Sequence, residues 1–138
     1  MEVLSALLCD AAADYHGKLS ILGAFDTLVV RQFPAVHPQC AIALRLLFRA
    51  GEEGTHSFSL HLVDSDGKDV VPEIRPRIEV KIPEHLFFLS QNMVFNLQGI
   101  PFQSAGQYSI DVTMDGAAIA SIPLQILEWR PPIQGPAA

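Results

Sequence analysis

The sequence is poor in cysteine, in positive charge and in long apolar runs, and each shortage removes a class of function. Only two cysteines are present, Cys9 and Cys40. Neither stands in a Cys-x-x-Cys or Cys/His spacing, so a zinc site has no support from them. In a reducing compartment two isolated thiols behave as small buried hydrophobes, and no disulfide is expected. Lysine and arginine number 9 against 15 acidic residues, a formal charge of −6, and the cations are scattered singly. Such a chain cannot displace counterions along a phosphate backbone, nor present a basic stripe to an anionic bilayer, so neither nucleic acid nor membrane is an expected partner. No apolar run reaches the roughly 18 to 20 residues of a membrane-spanning helix. Val3 to Cys9 superficially resembles the end of a lipoprotein signal, but it lacks a basic start and places Leu8 where a small residue belongs. A cytoplasmic location is therefore expected. With 49% hydrophobic and 17% charged residues the chain is globular in composition. A single domain over residues 1–130 is expected, with a frayed tail over 131–138.

Catalytic signatures are equally scarce. There is no Gly-x-Ser-x-Gly elbow and no glycine-rich phosphate loop, and neither cysteine has an activating context. No cofactor and no catalytic residue is assigned. Asp64, Asp66 and Asp69 suggest a calcium loop, but Lys68 occupies a ligand position and Gly67 comes too early. A hairpin turn explains the same residues. Of the histidines, His56 and His61 are five apart, so on a strand they face opposite sides. His16 falls in a turn, His37 between prolines and His85 in an irregular stretch. A site assembled from distant strands is the one route left to acid–base or metal chemistry.

What the chain does have is period-2 alternation. Tyr108, Ile110, Val112 and Met114 alternate with polar residues, an Asp115-Gly116 turn follows, and Ile122, Leu124 and Ile126 line a second strand. Residues 40–49, 57–62, 77–82 and 93–97 alternate likewise. Pro34 and Pro38 punctuate a connection over 30–39, and Pro83 to Gln91 reads as irregular. Residues 2–13 fit a helix through Leu4, Leu7, Leu8 and Ala11, or a strand. The turn at His16-Gly17 and the strand from Lys18 to Phe25 favour strand-turn-strand. The expectation is an all-β antiparallel sandwich of about eight strands.

Gly106-Gln107-Tyr108 at the head of a late strand resembles the tyrosine corner of immunoglobulin-like sandwiches, although no Cys…Trp…Cys framework accompanies it. A broader resemblance rests on four ordered motifs: Ala6-Leu7-Leu8-Cys9-Asp10-Ala11-Ala12, Gly17-Lys18-Leu19-Ser20-Ile21-Leu22-Gly23, Asp64-Ser65-Asp66-Gly67 and Gly106-Gln107-Tyr108. Together they resemble a family of small bacterial proteins catalogued as a domain of unknown function. The resemblance implies a bacterial single-domain protein and brings no activity, ligand or site residues.

One segment departs from alternation. Leu86, Phe87, Phe88 and Leu89 are four consecutive large apolar residues, more than one strand face can bury. They fold over an open end of the sandwich or form a surface for self-association or a protein partner. The expected function is a non-enzymatic binding or interaction module. The alternative is a ligand-binding protein or metal-dependent enzyme using dispersed His and Asp residues. Trp129 is expected to cap the sandwich.

Overall fold

A computed structural model describes residues 1–131, and the proposed tail lies outside the described residues apart from Pro131. The described residues form nine strands: β1 (Glu2–Tyr15), β2 (Lys18–Phe25), β3 (Thr27–Val30), β4 (Ala35–Phe48), β5 (Gly54–Val63), β6 (Arg77–Val80), β7 (Leu89–Phe102), β8 (Gly106–Met114) and β9 (Ala117–Glu128). No helix occurs among the described residues, so none is long and apolar enough to cross a membrane. Four strands form one sheet in the order β2-β1-β4-β7 and five form the other in the order β3-β9-β8-β5-β6. One of the two is curled into a half-barrel.

The core follows from alternation. Cys40, Ile42, Leu44, Leu46 and Phe48 of β4 face Phe58, Leu60 and Leu62 of β5, Ile110 and Val112 of β8, and Ile122, Leu124 and Ile126 of β9. All are buried, and each fully buried aliphatic or aromatic side chain contributes about 1.5–3 kcal/mol relative to exposure. Turn chemistry sets the hairpin registers. His16-Gly17 and Asp115-Gly116 both have positive φ at the two central residues, as tight hairpin turns of matching twist require.

The β1–β2 hairpin doubles back on its own sheet. Ser5 of β1 lies opposite Arg45 of β4, while Tyr15 is ten residues further on, about 33 Å away in a straight strand. Yet the Arg45 guanidinium donates to the carbonyl of Gly17 at the hairpin tip (3.0 Å). Asn92 of β7 donates to Asp14 (2.7 Å) and to the same Gly17 carbonyl (3.2 Å). The bend falls at Asp10 and Gly23, which face each other across the hairpin. Beyond it Ala12 and Leu19 pack onto Cys9, Ala41 and Ala43, burying the outer face of the sheet as a second small core. The small side chains of Ala41 and Ala43 make room there for the second layer, with Leu7 and Val94 at its border.

Residues 2–13 are strand, as the turn at His16-Gly17 leads one to expect, and β1 continues to Tyr15. Several other expectations change. The sheets are not purely antiparallel: β3, unforeseen in the sequence, runs parallel to β9. After Asp26 the chain crosses to the other sheet, and the Gln125 amide fixes it by donating to the Asp26 carbonyl (2.8 Å). A crossing chain is free of the reversal that a hairpin imposes. Residues 35–39, expected as connection, open β4; Pro38 falls opposite Gly99, the one position between His37 and Phe48 without a ladder partner. There the missing proline N–H costs nothing. Finally β7 extends to Phe102 and changes face at Gly99, from Met93 and Leu97 inward to Ile100 and Phe102 inward.

Candidate interaction surface

The apolar run Leu86 to Leu89 is divided by the backbone. Val80 at the end of β6 is buried, and Leu89, the first residue of β7, packs against the core. Between them residues 83–88 must leave one sheet and enter the other. The Ile82 amide donates to the Glu53 carboxylate (2.9 Å), and Leu86 N–H closes a turn on the Pro83 carbonyl (2.9 Å). That turn aims the following side chains outward. Phe87 is 93% exposed, Phe88 46% and Leu86 38%. Glu84 within the loop and Glu53 at its base give this apolar tip an acidic border.

The histidines do not converge. His56 and His61 lie on opposite faces of β5. His56 stacks on Phe48 (5.6 Å between ring centres), with Nδ1 against the Asp115 carboxylate (2.6 Å) and Nε2 against the Glu52 carbonyl (2.6 Å). An imidazole between two acceptors needs both N–H groups, so the hydrogen bond to Asp115, then that to Glu52, raises its pKa. His61 sits between Asp69 (2.8 Å) and Glu73 (3.1 Å), and the hydrogen bond to Asp69 leads the causes that raise its pKa. Its partners bind opposite ring nitrogens, which no single cation can satisfy. Glu73 also accepts from Ser59 and from Arg75 (2.8 Å). His37 stands beside Phe25, with Nε2 buried and unpartnered among the described residues. His85 is exposed in the loop of Phe87.

Asp64 is committed to its own turn, accepting from the amides of Asp66 (2.9 Å) and Lys68 (3.0 Å). Among the described residues no three His, Cys, Asp or Glu side chains form a group able to hold a metal ion. Cys9 and Cys40 are free thiols, and burial pushes Cys40 up to about 11, far from a reactive thiolate. Trp129 is half exposed, with the Arg31 guanidinium 5.1 Å from its ring centre. The sequence pattern did not show that the aromatic loop feeds directly into β7, an edge strand of 14 residues. Its signal was the absence of any charged residue from Leu89 to Phe102.

Fold and surface define an all-β protein of two sheets that exposes aromatic side chains beside an edge strand. The chain belongs to the family of unknown function DUF6941, whose profile matches residues 4–127. No curated protein matches it in sequence. A solved structure, Pseudomonas fluorescens alkylpurine DNA glycosylase AlkC bound to DNA containing an abasic site analog, superposes with a TM-score of 0.46 at 10% identity. The match covers 91% of this chain, which spans 30% of that one.

Proposed function

We propose that this chain is a non-enzymatic binding module that engages a protein partner through the loop at residues 83–88, with Phe87 and Phe88 as anchors. The observation that carries the reading is the exposure of Phe87, 93%, two residues before Leu89, which packs against the core. A well-placed exposed aromatic is the usual centre of an interface, because it buries a large area at small entropic loss. The acidic border and the charge of −6 favour a partner whose apolar pocket is rimmed by Lys or Arg. They oppose self-association, which would bring two such loops together. An immunoglobulin-like arrangement is part of the proposal, supported by the Tyr108 hydroxyl donating to the Ser104 carbonyl (2.7 Å). So are a bacterial source and a cytoplasmic setting, the latter supported by two unpaired thiols.

The test uses the double variant Phe87→Ser/Phe88→Ser beside the wild type. The expected result is loss of a partner captured by the wild type from its source organism, with an unchanged melting temperature. A retained partner refutes the reading. A wild-type dimer that becomes monomeric in the variant assigns the loop to self-association and refutes it as well.

A further inference from the structure

An exposed strand edge invites pairing with other chains, and three of the four edges here are blunted. β3 and β6 are four residues long, and β6 carries Arg77 and Glu79. β2 is bent at Gly23. The fourth edge, β7, is 14 residues long and carries no Asp, Glu, Lys or Arg. Among the described residues its backbone makes no backbone hydrogen bond outside the β4 ladder.

Beside its C-terminal part a groove of about 440 Å³ opens between the sheets. One wall is residues 96–101 of β7, and the other is Val70, Val71, Pro72 and Ile74. That second wall is tied to β5 by Val70 N–H to the Leu62 carbonyl (2.8 Å) and Ile74 N–H to the Leu60 carbonyl (3.1 Å). The His61 bridges to Asp69 and Glu73 bracket it on both sides.

The geometry points to this edge as the docking site of an extended peptide segment of the partner, resting on the reading of the chain as a partner-binding module. The peptide adds a fifth strand to the β2-β1-β4-β7 sheet and sinks one or two large apolar side chains into the groove. Unpaired donors and acceptors repeating at strand spacing are matched by another extended backbone, which supplies affinity while side-chain pockets supply selectivity. The groove volume lies within the usual range for ligand pockets, enough for one or two large apolar side chains. Residues 89–98, before the change of face at Gly99, span about 33 Å, so the matching peptide has about ten residues. Its chemistry is uncharged along the edge, and its far end reaches the loop of Phe87. A second copy of β7 suits the edge less well, because pairing would juxtapose two chains of charge −6 and two Glu84 loops.

The probe is a peptide selected on the wild-type protein from a displayed random twelve-residue library, labelled with fluorescein and titrated by anisotropy. Methylating alternate backbone nitrogens is expected to weaken binding at least about tenfold in one phase and leave the other phase unchanged, since only one phase faces β7. Gln98→Lys, at an exposed position, and Val71→Lys should each weaken it by about the same factor, with Gln98→Lys melting as the wild type does. No enrichment over an unrelated β-protein overturns the inference, as does binding indifferent to both methylation phases or to Gln98→Lys. A wild-type dimer that Gln98→Lys returns to monomer assigns the edge to a second copy and also overturns it. Phe87→Ser/Phe88→Ser separates the two readings. If no peptide binds but this variant still loses its partner, the groove fails and the loop stands. If peptides bind and the variant keeps its partner, the loop alone fails.

Discussion

Replacing Gly23 with alanine tests the doubled-back hairpin. Gly23 has φ +67, where an L-residue crowds its Cβ against the backbone at a cost of about 1–2 kcal/mol. The added Cβ would stand 2.5 Å from Asp10 Oδ2 and 3.0 Å from Asp10 Cγ. Asp10 is exposed, so its carboxylate can swing aside into a poorer rotamer, a further loss of about 1 kcal/mol. Against this, alanine restricts the unfolded chain and returns about 0.4–1 kcal/mol. The net expectation is a loss of about 2 kcal/mol, or roughly 6–10 °C in melting temperature for a domain of this size. Urea denaturation measures it. Asp10→Ala in the same background removes the steric part and should restore about 1 kcal/mol, leaving the backbone part untouched. Hydrogen exchange supplies a local readout: amides of residues 12–22 should lose protection before those of β4 and β8. A Gly23→Ala variant within about 0.5 kcal/mol of wild type would refute the bend, because an unstrained strand position tolerates alanine. Failure of Asp10→Ala to relieve the loss would refute the steric half.

Two other consequences can be measured. Tyr108→Phe removes the donor to the Ser104 carbonyl while keeping the edge-to-face contact with Phe102 (5.1 Å between ring centres), and should cost about 1 kcal/mol in denaturation. An unchanged melting temperature would dispose of the latch. Stability should also peak at mildly acid pH. His56 and His61 have raised pKa values in the fold, so their contribution is complete below the ordinary value near 6.5 and fades as pH rises through the folded values. Glu52, Glu73 and Asp115 are held low, first by hydrogen bonds from the N-terminal amine, Ser59 and His56 respectively, so their contribution is lost as pH falls below the ordinary carboxylate range. The maximum should lie between roughly pH 5 and 6.5. A melting curve that is flat from pH 6 to 8, or one whose alkaline limb survives in the His56→Gln/His61→Gln variant, contradicts this.

Much of the fold was legible wherever a strand has one buried face and a local partner. Residues 57–62 and 106–114 alternate because β5 and β8 each meet the core on one side, and Asp115-Gly116 announces its own hairpin. What escaped depends on distant chain. β3 is four residues whose partner, β9, lies almost a hundred positions away, and a parallel pairing leaves no turn signature. β7 shows its alternation only over residues 93–97, and Gly99 and Pro101 beyond them are of types that usually end strands; here Gly99 faces Pro38 and turns the sheet. The apolar run from Leu86 to Leu89 reads as one unit, either a cover over the open end or a surface, but a turn closed on Pro83 divides it between solvent and core.

The doubled-back hairpin was the least visible element, yet a trace of it was present. From Cys40 to Phe48 the chain is apolar at every position except Arg45. A strand apolar on both sides is covered on both sides, and the alanines at 41 and 43 say that the second cover approaches closely. A lone guanidinium in such a strand cannot stay without acceptors, since an unpaired charge among apolar neighbours is expensive. It therefore marks where polar atoms must return to the sheet. In this fold those atoms are the Gly17 carbonyl and the Asn92 side chain, which accepts from Arg45 at 2.7 Å. The same residue that interrupts the hydrophobic pattern is the one that fixes the tip of the hairpin covering it.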